Sequence, residues 1–211
     1  MCWDLDGTLT DSVRSVVDTA NQVIASRGGR TLGFDEVGRM TGLPLELIFR
    51  QAWPDLSDED AVACRTEYRR IYDEVVIPAT RLFRGARATL RAVHGAGLLQ
   101  ATVTGKLARD CERILGGLGV TTDIELYLGG DSVPPGRHKP APDLTLLAME
   151  RLGVPADRTV VIGDTRTDMR MGRAAGARTI QVLWGYERAP VPEADETVST
   201  WAELRARILR S

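Results

Sequence analysis

The chain has 211 residues, 43% of them apolar, with 27 Lys and Arg against 29 Asp and Glu and a net charge of −2. That length and balance exclude a disordered chain, and they exclude a fold that depends on disulfides or a structural metal. The near-neutral charge, with an isoelectric point of about 5.8, argues against a nucleic-acid partner, and no apolar run reaches the roughly 18 residues of a membrane span.

Only Met1, Cys2 and Trp3 precede Asp4, so either the first strand is very short or the natural start lies upstream. The opening carries acids at Asp4 and Asp6 and no apolar signal core. Three cysteines, Cys2, Cys64 and Cys111, are an odd number without CxxC spacing, which predicts reduced thiols in a cytoplasmic protein.

Next comes a stripe of helical period: Val13, Val16, Val17, Ala20, Val23 and Ile24. A shorter helix is expected over 44–52. Ser57-Asp58-Glu59-Asp60 opens a longer one in a capping-box pattern, with Ala61, Cys64, Tyr68, Ile71, Tyr72 and Val75 as its expected buried face. No strand pattern interrupts 13–81, which predicts a helical insertion. From about residue 85 strands and helices alternate. The runs 101–104, 124–129, 159–163 and 179–184 are β-rich, and the helices between them carry apolar residues at spacings of three and four. That order predicts right-handed βαβ units and a parallel sheet. Thr200-Trp201-Ala202-Glu203 begins a capped terminal helix. His94 and His138 are expected to be solvated.

Four segments carry chemistry: Asp4-Leu5-Asp6-Gly7-Thr8, Thr104-Gly105-Lys106, Lys139 in a Pro-rich loop, and Gly163-Asp164-Thr165-Arg166-Thr167-Asp168. Three of them follow strands, and the carboxyl ends of strands line the ligand crevice of an open parallel sheet. Clustered carboxylates repel one another unless a cation neutralises them, and hard oxygen donors select Mg²⁺. A nearby lysine, a hydroxyl and a glycine N–H suit a phosphoryl group. A carboxylate can then attack phosphorus while a second carboxyl two residues on moves protons.

These segments, in this order, resemble the haloacid dehalogenase superfamily over nearly the whole chain. The stretch 127–186 looks most like its phosphoglycolate phosphatase-like branch. The resemblance implies a doubly wound α/β Rossmann-like parallel sheet of order 5-4-1-2-3, with a core of 1–12 and 82–211 and a helical cap over 13–81. It implies Asp4 as nucleophile, giving an aspartyl-phosphate, and Asp6 as acid/base. Mg²⁺ would be held by Asp4, the Asp6 carbonyl and Asp164, with Asp168 in support. Thr104, Gly105 and Lys139 would hold the phosphoryl group, and Lys139 would keep Asp4 ionised.

The expected activity is Mg²⁺-dependent hydrolysis of a small phosphorylated metabolite, 2-phosphoglycolate foremost. A pyrophosphatase would use the same core. A β-phosphoglucomutase-like enzyme resembles this pattern but places a His where this chain has Val16. A binding or scaffold protein that has kept the fold is the non-enzymatic alternative. Gly42, Leu43 and Pro44, between two cap helices, are expected to line a substrate loop. The pattern leaves the oligomeric state open.

Overall fold

A computed structural model describes residues 1–38, 40 and 45–209. Strand β1 is Cys2–Trp3. Helices α1 (Val13–Ser26), α2 (Phe34–Gly38), α3 (Leu45–Ala52), α4 (Asp58–Ile71) and α5 (Ile77–Ala79) follow, with a π-helical turn over Tyr72–Val76 before α5. The chain then alternates: α6 (Ala86–Gly95), β2 (Ala101–Val103), α7 (Ala108–Gly117), β3 (Leu126–Leu128), α8 (Asp143–Leu152), β4 (Val160–Gly163), α9 (Arg166–Ala174) and β5 (Arg178–Val182). A sixth strand, β6 (Glu196–Val198), and helix α10 (Trp201–Ile208) complete it.

The six strands form one parallel sheet of order β3-β2-β1-β4-β5-β6. Read from its other edge, this is the expected 5-4-1-2-3 order with β6 added beyond β5. The direction of winding reverses at β1, where an open α/β sheet places its crevice. Side chains alternate across the sheet as strand geometry requires. Trp3, Val160 and Ile162 face a core shared with α6, α7 and α10. Cys2, Ala101, Val103 and Val161 face a second core under α8 and α9.

A two-residue strand could hold the chain loosely, but its ends are tied. The Ala101 N–H donates to the Met1 carbonyl at 2.8 Å, and the Asp4 N–H donates to the Ile162 carbonyl at 2.9 Å. Fully buried Trp3 donates its indole N–H to Gln100 Oε1 at 2.9 Å.

The chain leaves and rejoins the sheet through a short antiparallel contact. Thr10 bridges Leu82, the Asp11 N–H donates to the Arg81 carbonyl, and the Phe83 N–H donates to the Leu9 carbonyl. Among the described residues, the segment between has no strand. Its apolar stripe behaves as its period predicts, with Val16, Val17, Ala20, Val23 and Ile24 buried. Ser57 caps α4 by accepting from the Asp60 N–H. The expected face of α4 is buried at Ala61, Cys64, Tyr68, Ile71 and Tyr72, but Val75 is exposed. The π turn winds more slowly than an α-helix and carries Val75 off that face. Gly42, Leu43 and Pro44 lie outside the described residues. No helix among the described residues is long and apolar enough to cross a membrane.

Candidate active site

Each strand from β1 to β5 delivers something to the carboxyl edge of the sheet. Asp4 and Asp6 follow β1, Thr104 to Lys106 follow β2, the loop bearing Lys139 follows β3, Asp164 to Asp168 follow β4, and Trp184-Gly185-Tyr186 follow β5.

Lys139 is the centre of the charge arrangement. Its ammonium lies 2.6 Å from Asp4 Oδ1 and 2.5 Å from Asp168 Oδ1, and all three side chains are buried. The other Asp168 oxygen accepts from the Thr165 N–H at 3.0 Å and the Thr165 hydroxyl at 2.6 Å. Asp168 thus caps the start of α9 with one oxygen and pairs with Lys139 through the other. Burial alone would lower the Lys139 pKa, but the Asp168 and Asp4 carboxylates outweigh it and the pKa rises.

Asp4 behaves differently from the sequence expectation. Lys139 pulls its pKa down, yet burial outweighs that pull and, with Asp168 and Asp6 nearby, pushes it up to about 7. Lys139 alone therefore does not keep Asp4 fully ionised.

Asp164 is fully buried and clamped from two sides. Thr8 donates its hydroxyl to Oδ1 at 3.0 Å, and the Tyr186 N–H donates to Oδ2 at 2.6 Å. Gly7 has φ +83°, a conformation that favours glycine. A side chain at Gly7 or Gly185 would overlap the Asp164 carboxylate. Burial, then the Asp4 and Asp168 charges, raise the Asp164 pKa well above the ordinary carboxylate range.

Asp4, Asp164 and Asp168 each offer an oxygen within 4.8 Å of the others. These are hard donors, all buried, and two of the three resist ionisation. A divalent cation relieves that strain, so the donor set fits Mg²⁺.

Asp6 stands apart from this cluster. Its Oδ2 lies 2.7 Å from Lys106 Nζ, and its Oδ1 accepts from the Ser12 hydroxyl. Ser12 occupies the N-cap position of α1, but its hydroxyl is turned to Asp6 instead of to the helix. Thr104 is buried at the end of β2 beside exposed Gly105. A cavity of about 520 Å³ joins these groups. It is lined by Asp4, Thr104, Gly105, Lys106 and Lys139 from the sheet, and by Val16, Tyr68, Arg69 and Tyr72 from the helical segment.

The structure brings Asp4, Asp6, Thr104, Gly105, Lys139 and Asp168 to this cavity, with Asp164 beneath. The sequence places Lys106 in the Thr104-Gly105-Lys106 segment without assigning it a role, because Gly-Lys after a strand is a common pattern, and it does not single out the Trp184–Tyr186 loop. The loop after β5 was identifiable by the same strand-end rule that marks Thr104 and Asp164. His94 is exposed as expected, whereas His138 is half-buried and lines the cavity. All three cysteines are free and buried.

Fold and site define an α/β enzyme built on a carboxylate cluster at the sheet's carboxyl edge. The profile of the haloacid dehalogenase-like hydrolases matches residues 1–182, and the chain belongs to that family. A Dickeya dadantii protein named "Probable phosphatase IndB" is 32% identical over 96% of this chain and 90% of its own. A phosphoglycolate phosphatase of Xylella fastidiosa is 32% identical over 87% of this chain and 80% of its own. The crystal structure of a haloacid dehalogenase-like hydrolase from Bacteroides fragilis superposes with a TM-score of 0.86 at 26% identity, covering 96% of this chain and 97% of that one.

Proposed function

We propose that the chain is a Mg²⁺-dependent phosphatase that hydrolyses a small phosphomonoester, 2-phosphoglycolate foremost, through an aspartyl-phosphate on Asp4. The observation that carries this reading is the buried Asp4–Asp164–Asp168 cluster, paired with Lys139 at the floor of the cavity. The relatives named as phosphatases support it.

Asp4 attacks phosphorus, and the bond from phosphorus to the substrate's alkoxide oxygen breaks. Asp6, two residues on, gives its proton to that oxygen. In the second half Asp6 takes a proton from a water, which attacks phosphorus and frees phosphate from Asp4. Thr104, the Gly105 N–H and Lys139 hold the phosphoryl oxygens. When bound, Mg²⁺ adds positive charge beside these oxygens and offsets the carboxylates; the Asp4 and Asp164 carboxylates and the Asp6 carbonyl would hold it, with Asp168 in support.

We assign residues 13–81 as a cap over this site and 1–12 with 82–211 as the core. The cavity between the two groups of lining residues supports that division. Apolar Val16 lines it where the mutase resemblance would place a His, which disfavours a phosphomutase. The buried thiols are consistent with a cytoplasmic enzyme.

Phosphate release from 2-phosphoglycolate, pyrophosphate and β-glucose 1-phosphate, with and without chelator, tests the reading. Chelator-sensitive release from 2-phosphoglycolate is expected. Full-rate release in chelator contradicts it.

A further inference from the structure

The cavity lining also holds cationic side chains to which the mechanism above assigns no step. Lys106 is almost fully buried, with its ammonium 2.7 Å from Asp6 Oδ2 and 4.3 Å from the centre of the Tyr72 ring. The Arg69 guanidinium carbon lies 5.9 Å from the same ring. Tyr72 is 2% exposed, and its hydroxyl has no hydrogen-bond partner among the described residues. All three line the same cavity as Asp4.

We propose that Arg69, Lys106 and Tyr72 form a second anion subsite that receives a carboxylate on the leaving-group side of the substrate. This rests on the phosphatase reading and names its substrate class: short phosphomonoesters bearing a carboxylate.

Both cations are pre-oriented with donors to spare. Arg69 Nη1 donates to Asp110 Oδ2 at 2.7 Å. Asp110 is buried on α7 and Arg69 stands on α4, so the pair joins the helical segment to the sheet layer. A guanidinium has five N–H donors and an ammonium three, so one bond to a carboxylate leaves most of them for a ligand. The third group is a donor as well. Burial, then the Asp6 and Asp110 charges, push the Tyr72 phenol far above its ordinary range, so it stays protonated. A buried O–H without a partner is uncommon in folded proteins, and an incoming carboxylate oxygen supplies one. The two other arginines of the lining are placed differently. Arg65 and Arg109 have side chains 47% and 67% exposed, so water competes for their donors, against 30% for Arg69. Lys106 is adjacent to Gly105, where the phosphoryl group is assigned. Both assigned positions share one cavity, which suits a short leaving group between them.

Steady-state kinetics on 2-phosphoglycolate and on uncharged 2-hydroxyethyl phosphate test this. Wild-type protein should favour the carboxylated ester by about tenfold or more in kcat/KM, the value of a charged hydrogen bond. Arg69→Met should erase most of that preference, chiefly through KM. Tyr72→Phe, which keeps the ring and the fold, should reduce it by about threefold. If wild-type protein hydrolyses both esters equally well, or both variants weaken the two esters to the same extent, the subsite is wrong while the phosphatase reading stands. If wild-type protein releases phosphate from neither ester, the phosphatase reading fails and the subsite with it.

Discussion

Lys139 and Asp4, 135 residues apart in sequence, meet at 2.6 Å in the floor of the cavity, and the same ammonium holds Asp168 at 2.5 Å. Above about pH 7, where Asp4 is ionised, removing the ammonium leaves two buried carboxylates without their counter-charge. Breaking a buried pair in this way costs about 3–5 kcal/mol. For a chain of this size each kcal/mol moves Tm by roughly 2–4 °C. Lys139→Met should therefore lower the Tm of the metal-free protein by on the order of 10 °C, with phosphate release reduced as well. An unchanged melting curve would show that the pair does not carry this charge balance.

The metal-free protein should also show an inverted acid response at Asp4. Between the ordinary value of 3.8 and about 7, folded Asp4 keeps a proton that the unfolded chain has released. Stability from this group is present at low pH and is lost as pH rises through that window. Asp164, shifted in the same direction, adds to the effect. Thermal melts in chelator from pH 4.5 to 7.5 should show a steeper loss of Tm in wild-type protein than in Asp4→Asn, and Mg²⁺ should flatten the wild-type slope. Parallel slopes for the two proteins would count against the burial argument.

Trp184 reaches the carboxylate cluster without touching it. Its indole N–H donates to the Thr8 carbonyl at 3.0 Å, its ring packs on Trp201 with centroids 4.6 Å apart, and the Thr8 hydroxyl holds Asp164. Trp184→Phe keeps a ring in that stack but loses the tie to Thr8. Mg²⁺ affinity, measured by calorimetry, should fall by about threefold to tenfold, the worth of one neutral hydrogen bond. Gly185→Ala should cost more, because its methyl group overlaps the Asp164 carboxylate. Unaltered Mg²⁺ binding in Gly185→Ala would remove Asp164 from the metal site.

Much of this architecture was legible in the residues because strand-end chemistry follows local rules. Asp4, Thr104 and Asp164 stand directly after short β-rich runs, and Lys139 stands before a helix. What escaped did so for physical reasons. The β6 segment Glu196–Val198 is a three-residue edge strand, too short and polar to show a period. Val75 left its expected face because a π turn alters the rotation of the chain, and no propensity announces such a turn. The Asp6–Lys106 pair depends on tertiary approach between residues 100 positions apart. The protonation of Asp4 depends on how completely the site is buried, and burial emerges only from packing.

The central claim is that Asp4 is the nucleophile, and trapping its phosphorylated form tests it most directly. Protein quenched in borohydride during turnover of 2-phosphoglycolate should have Asp4 reduced to homoserine, read by peptide mass spectrometry, with no such change in protein without substrate. Undiminished turnover with no reduction at Asp4, or with reduction at another carboxylate, would contradict the account.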